Sequence, residues 1–326
     1  MTKISYQRGS ILVVGSCKLT SSVVVCLLQA GHQVSLYSAD CQAVKARINT
    51  HMAAIEELAP SHAVWTDCEE IDHLDGQLDY KLVIAITPEN AGQKEALIQQ
   101  LESILSPDAL IAINTESIPL DTLQQQARQP ERIIGLNWTE PAHTTLFLEI
   151  VTTRQNAAAL TDALYQTARS DWQKDPYVVR NGCGIRTRML CAMLREAFYL
   201  VENGYVSVEG IDRGCRNDSG YYMSFAGNFR YMDLMGTFVY GLVMQDLNPE
   251  LSKSRQLPIF FQELIQQGSV GMDSGKGFFD YQPGEPERWD ALFQQFSYQI
   301  SELMSKYPFN YQQTRELAST QSLIHD

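Results

Sequence analysis

Short apolar runs at residues 11–14, 82–86 and 109–113 alternate with longer stretches whose apolar residues fall at helical spacing. A run of four or five residues that is apolar on both faces and ends in a turn is what a strand buried on both sides requires. Residues 11–14 stop at Gly15, and residues 19–30 are apolar on most sides, as suits a helix packed on a sheet. Gly31 stands where a helix C-cap glycine belongs, and 34–37 resumes strand character. Further along, the pattern predicts helix over 40–58, a short strand over 62–65, strand over 82–86 and helix over 89–105. Strand over 109–113, helix over 120–127 opened by Pro119, and strand over 132–136 complete the series. This alternation predicts an α/β fold: a Rossmann-like, doubly wound sheet with helices on both faces.

The pattern changes after Pro176. Residues 186–201 read as one long amphipathic helix, and 208–215, 232–244 and 258–267 also look helical, with no clear strands between them. A boundary near Asn181, in the glycine-containing stretch 181–184, separates a dinucleotide-type domain (1–180) from an all-α C-terminal domain (181–281). The Gln-rich tail, 282–326, reads as mostly helical. A chain of 326 residues suits two such domains.

The net charge of −13 argues against nucleic acid as the main partner, because phosphate binding needs clustered Lys and Arg. It leaves room for an anionic ligand held at a helix N-terminus. The seven cysteines are scattered, odd in number and without a CxxC pair, which points to reduced thiols and a cytoplasmic setting. The polar first ten residues show no signal pattern, and no apolar run approaches the ~20 residues needed to span a bilayer. The six histidines lack metal-ligand spacing, so no metal is expected.

A dinucleotide fold needs a tight strand-to-helix turn written G-x-G-x-x-G, with an acidic residue about 20 positions later for the ribose. Here the turn reads Gly15-Ser16-Cys17-Lys18-Leu19-Thr20. Only the first glycine remains. Cys17 puts a side chain where a pyrophosphate would lie, Thr20 widens the contact between helix and strand, and the ribose position is Ser38. A serine there removes the repulsion toward a 2′-phosphate, so NADP is not excluded, although no Arg follows directly.

Several segments, in order, resemble the 3-hydroxyacyl-CoA dehydrogenase family, covering residues 11–281 with gaps. Residues 82–90, LVIAITPEN, with Lys94, resemble its strand and "EN…K" helix start; 114–117, NTES, its "NTSS" loop; 132–141, RIIGLNWTEP, its "RxxGxHFxNP" segment. In the second half, 196–212 resembles "EAxxLxExGxAxxxDID", 227–236 "GPFxLxDxxG", and 275–281, GKGFFDY, "GxGFYxY". The resemblance implies a mainly parallel sheet of about eight strands, a helical domain that forms a homodimer, NAD as cofactor, and a 3-hydroxyacyl thioester or related hydroxy acid as the small-molecule substrate. Its cofactor positions fall on Gly15, Cys17, Thr20, Ser38, Glu89, Lys94 and Asn114.

In that family a His takes the hydroxyl proton, a Glu orients it, and a Ser and an Asn hold the substrate oxygen. The matching positions here are Asn137 for the His, Glu149 for the Glu, Glu116 for the Ser and Thr187 for the Asn. An amide cannot accept a proton near neutral pH, so the site is altered. Glu116, Glu140 and Glu149 are expected to converge as substitute carboxylates, with His143 a second base candidate that reads more simply as an exposed loop residue. Two functions follow: an oxidoreductase with a rewritten active site, or a non-catalytic relative that binds a ligand. The aromatic and Met-rich stretch 221–244 reads as core or dimer interface.

Overall fold

The computed structural model describes residues 10–307 apart from 64, 181 and 270. They fall into two compact units that divide between Arg188 and Met189. The first unit is built from β1 (Ser10–Gly15), α1 (Lys18–Gln29), β2 (Gln33–Tyr37), α2 (Cys41–Leu58), β3 (Cys68–Glu70), β4 (Leu82–Ile86) and α3 (Ala91–Ile104). It continues through β5 (Leu110–Ile113), α4 (Leu120–Gln125), β6 (Ile133–Asn137), β7 (Phe147–Thr152), α5 (Ala158–Ser170), β8 (Asp175–Arg180) and the start of α6 (Ile185–Glu202).

The eight strands form one sheet in the order β3-β2-β1-β4-β5-β6-β7-β8. Every pairing is parallel except β6 with β7. Residues 138–146 leave less chain than the dozen or so residues a crossover needs, so β7 must turn back beside β6. The central strands β4 and β5 are buried along their whole length, which is why they read as unbroken apolar runs. Chain direction diverges between β1 and β4, and a doubly wound sheet opens its ligand crevice at the C-terminal ends of the strands at such a point.

Two expected elements are corrected. Among the described residues of 62–65 no strand forms; the chain makes a 3₁₀ turn at Pro60–His62, and the strand is Cys68–Glu70, paired with β2. As an edge strand with solvated Glu69 and Glu70, it carries no apolar run to announce it. In the second unit, the helix expected over 232–244 is broken at Gly236, whose φ of 101° is open to glycine, leaving α8 (Gly220–Met235) and α9 (Thr237–Leu247).

The second unit also holds α7 (Val208–Gly214), α10 (Ile259–Gln266) and α11 (Glu285–Lys306). Tyr221, Phe229 and Phe238 are mostly exposed, so the aromatic stretch is not the core of its own unit. Of the expected tail helix, residues 308–326 lie outside the described residues.

Gly135 of β6 lies opposite Val151 of β7, and a Cβ there would stand 2.7 Å from Val151 Cβ and 3.0 Å from Thr115 Oγ1. Gly135→Ala should therefore lower unfolding stability by about 1–3 kcal/mol, read as a drop in urea midpoint at unchanged m-value.

Candidate functional site

The first feature at the crevice is the turn from β1 to α1. A Cβ on Gly15 would meet Ile86 O at 2.6 Å and Thr20 Oγ1 at 2.5 Å, so only glycine lets β1 and β4 close up here. Thr20 is fully buried; its Oγ1 accepts the Cys17 amide at 3.3 Å, and its own amide donates to Cys17 O. Thus Thr20 caps the turn where a third glycine would only make room. Ser16, Cys17 and Lys18 remain exposed at the helix N-terminus. Ser16 Oγ accepts from Ser38 Oγ at 2.9 Å and from the Ala39 amide at 3.0 Å, so Ser38 is joined to the turn. The carboxylate two residues on, Asp40, is used to cap α2 by accepting from Ala43 N at 3.0 Å.

At the ends of β4 and β5, Glu89, Lys94 and Asn114 form one cluster. Lys94 is fully buried and donates to Asn114 O at 2.8 Å, Asn114 Oδ1 at 3.0 Å and Thr87 Oγ1 at 3.0 Å, with Glu89 Oε2 3.3 Å away. A buried ammonium needs this much satisfaction. Burial pushes the Lys94 ammonium below its ordinary value, against the opposing pull of Glu89. Burial raises the Glu89 carboxyl, but the Ser117 and Ile118 amides and Lys94 outweigh it and hold the group below the usual range. Those amides bind Glu89 Oε1 at 2.6 and 2.8 Å, which fixes the loop after Asn114.

The third feature joins Asn137 and Glu149, which face each other in the antiparallel β6–β7 register and are both buried. Asn137 Nδ2 donates to Glu149 Oε2 at 2.8 Å and to Thr115 O at 3.0 Å, while its Oδ1 accepts from Thr115 N at 2.7 Å. Both amide hydrogens and the amide oxygen are thus used. Glu149 Oε1 accepts from Tyr177 Oη at 2.8 Å, from Ile185 N at 2.7 Å and from Arg186 N at 3.3 Å. The carboxylate therefore terminates the first turn of α6, where free amides and the helix dipole favour an anion. Burial, and then the Glu149 bond, push the Tyr177 hydroxyl well above its ordinary value.

Sequence reasoning missed Gly184. A Cβ there would lie 2.1 Å from Glu149 Oε2 and 2.7 Å from Asn137 Nδ2, so glycine is what lets α6 begin against the pair. Its signal in the sequence was a glycine directly before a predicted helix. Nothing in the sequence marked Tyr177 or Thr115 as partners.

Glu116 and Thr187 are brought together: the Thr187 hydroxyl donates to Glu116 Oε2, and Arg186 Nη1 lies 3.6 Å from the same oxygen. Arg186 also rests 6.0 Å over the Phe147 ring. The expected convergence of three carboxylates is corrected. Glu140 turns to α1 and α2, accepting from Ser22 Oγ and lying 3.9 Å from His51 Nε2, while Glu149 and Glu116 each have their own partners. His143 is likewise not an exposed loop residue. It is partly buried, its ring 4.8 Å from that of His51. Desolvation, with His51 and Lys174 adding repulsion, lowers its pKa to about 3.

Comparison with known proteins adds to this geometry. Residues 10–182 match the family described as 3-hydroxyacyl-CoA dehydrogenase, NAD binding domain, and residues 185–281 match its C-terminal domain. The 5-formyl-3-hydroxy-2-methylpyridine 4-carboxylate 5-dehydrogenase of Mesorhizobium japonicum is 27% identical over 289 residues, covering 86% of this chain and 94% of that one. A probable 3-hydroxybutyryl-CoA dehydrogenase of Bacillus subtilis is 24% identical, covering 83% and 97%. The crystal structure of a 5-formyl-3-hydroxy-2-methylpyridine 4-carboxylic acid 5-dehydrogenase, an NAD+ dependent dismutase, superposes with a TM-score of 0.78 at 24% identity, covering 90% of this chain and 96% of that one, and so shares the fold.

The depressed His143 pKa has a consequence for stability. Below about 6.5 the unfolded chain takes up a proton that the folded chain refuses until about 3. The unfolded state binds more protons in that window, so this residue's contribution weakens as pH falls through it. His143→Gln should therefore lose less stability than the parent between about pH 7 and about pH 5, measured as urea midpoints at each pH.

Proposed function

This chain belongs to the 3-hydroxyacyl-CoA dehydrogenase family, and from that premise we propose that it is an oxidoreductase for a hydroxy acid or hydroxyacyl thioester in which Glu116 handles the proton. NAD is its cofactor. The β1–α1 turn fits a dinucleotide: Gly15 keeps the backbone tight against β4, and Ser16, Cys17 and Lys18 stand exposed at a helix N-terminus suited to a pyrophosphate. Ser38 offers the ribose a hydroxyl in place of a carboxylate. Bound NAD supplies the hydride acceptor or donor; the protein must supply position and a proton path.

The observation that carries this reading is the state of Glu116. Its Oε2 is held by Thr187 and Arg186, its side chain keeps 28% of its surface in solvent, and its Oε1 accepts no hydrogen bond among the described residues. Asn137 is an amide, which takes no proton near neutral pH, and Glu149 is held by four donors, so neither is placed to act as the base. In the oxidative direction Glu116 Oε1 would take the proton from the substrate hydroxyl and pass it to water. Thr187 and Arg186 orient that carboxylate. Asn137 and Glu149 hold the loop at Thr115, and with it Glu116, in place.

By their names, one relative acts at the 5-formyl group of a hydroxypyridine carboxylate and another on a hydroxybutyryl thioester, and the second supports the proposed class. Residues 1–180 serve as the cofactor half in this reading, 181–281 as a helical, dimer-forming half, and 282–326 as an extension. Seven free cysteines support a cytoplasmic setting, and among the described residues no helix is long and apolar enough to cross a membrane. The saturated Asn137 amide also favours a second reading, a relative that binds NAD without turnover.

NADH titration by fluorescence, followed by nicotinamide absorbance over a panel of hydroxy acids and hydroxyacyl thioesters, tests the proposal. Binding with turnover is expected, and Glu116→Gln should lower kcat by about 10²–10⁴ while leaving NADH affinity within about twofold. Binding without turnover on any substrate selects the second reading.

A further inference from the structure

Arg186 is a cation held beside the proposed base with its donors unused. Its Nη1 lies 3.6 Å from Glu116 Oε2, an ion-pair distance too long for a hydrogen bond, and among the described residues its guanidinium makes no hydrogen bond. A guanidinium carries five N–H donors in a planar fork, so this side chain has donors to offer a ligand. It keeps 38% of its surface in solvent. Both ends of the residue are nevertheless fixed. The backbone amide donates to Glu149 Oε1 at 3.3 Å, and the guanidinium rests 6.0 Å over the Phe147 ring. Phe147 meets Tyr177 edge-on at 5.9 Å, and the Tyr177 hydroxyl donates to the same Glu149 oxygen. One buried carboxylate therefore anchors the backbone of Arg186 and, through two aromatic rings, the head of its side chain.

We propose that Arg186 selects the substrate: it grips the carboxylate of a short, free hydroxy acid whose hydroxyl faces Glu116. The inference rests on Glu116 as the base, and it chooses the free acid over the thioester. With the hydroxyl at Glu116 Oε1, the neighbouring carbons of the substrate lie beside Arg186, and a carboxylate one or two carbons away comes within its reach. The hydroxyl then stands at C2 or C3 of the acid. A carboxylate takes two parallel, charge-assisted N–H bonds from the fork, whereas a thioester offers one neutral carbonyl and leaves the cation unmatched. Glu116 alone would repel an incoming carboxylate, and the guanidinium beside it offsets that repulsion. Lys94, at the same loop, cannot serve: it is fully buried and committed to Asn114, Thr87 and Glu89.

The test uses the full-length protein and sets free acids against their methyl esters, which differ in the charge that Arg186 reads. Values of kcat/KM are measured for 2-hydroxybutyrate, 3-hydroxybutyrate, their methyl esters and 3-hydroxybutyryl-CoA, on the parent, Arg186→Gln and Arg186→Lys, with circular dichroism to verify folding. The parent should favour at least one acid over its ester by about 10–10²-fold. Arg186→Gln should bring that ratio to within about threefold of unity, with Arg186→Lys between the two. A misaligned Glu116 slows acid and ester alike, so the ratio reads the carboxylate contact itself. Independently of turnover, acetoacetate and methyl acetoacetate are titrated calorimetrically into protein with NAD+, where no hydride can move. The acid should bind at least about tenfold tighter, a difference that Arg186→Gln erases. Esters that match their acids in the parent, a thioester used better than either acid, an acid preference that Arg186→Gln leaves intact, or no binding of acetoacetate overturns the inference. A thioester used better than the acids does so while the function proposed above stands. Arginine-dependent binding of the acid without any turnover upholds the carboxylate site and sinks that function instead.

Discussion

The Glu149 carboxylate has two oxygens and receives four donors: the Asn137 amide from β6, the Tyr177 hydroxyl from β8, and the Ile185 and Arg186 amides from the first turn of α6. An ionised group this deep costs several kcal/mol to desolvate, and only dense, well-directed donors offset that cost. Satisfying it forces three elements to their places at once. β7 must run against β6 to set Glu149 opposite Asn137, Gly184 must lack a side chain, and α6 must start where its free amides reach the oxygens. Asn137 in turn grips both backbone groups of Thr115, which places Glu116 beside Thr187.

That arrangement separates two jobs. The resemblance implies an imidazole at position 137 that moves a proton. Here the amide braces the strands with both hydrogens and its oxygen engaged, and in the proposed mechanism the proton goes to Glu116 instead. The group left with an open oxygen near the same loop is Glu116. The cofactor side shows a comparable exchange: Thr20 caps the turn with its own hydroxyl, and the Ser16–Ser38 bond ties the turn to the end of β2.

Much of the fold was legible because buried parallel strands are apolar on both faces. Residues 82–86 and 109–113 carry that signature between turn residues, and β1 and α1 are marked by Gly15 and Gly31. β3 leaves no hydrophobic signature because it is an edge strand of Cys and Glu, and helical periodicity over 232–244 runs on through Gly236 because it carries no trace of one φ angle. At the site, Asn137 and Glu149 could be named together because a family pattern fixes their spacing. Contacts made across more than a hundred residues, such as Ser22 with Glu140, leave no local trace, and so a carboxylate expected at the active centre was found bracing α1. His143 was misread for the same reason: its neighbour His51 is on a helix far away in sequence.

Crystals of the protein soaked with NAD and a substrate it turns over would decide the central point. The account predicts the substrate oxygen within about 2.6–3.2 Å of Glu116 Oε1, with Asn137 still hydrogen-bonded to Glu149. A substrate oxygen seated on Asn137, with that amide swung away from Glu149 and Glu116 turned to solvent, would contradict it.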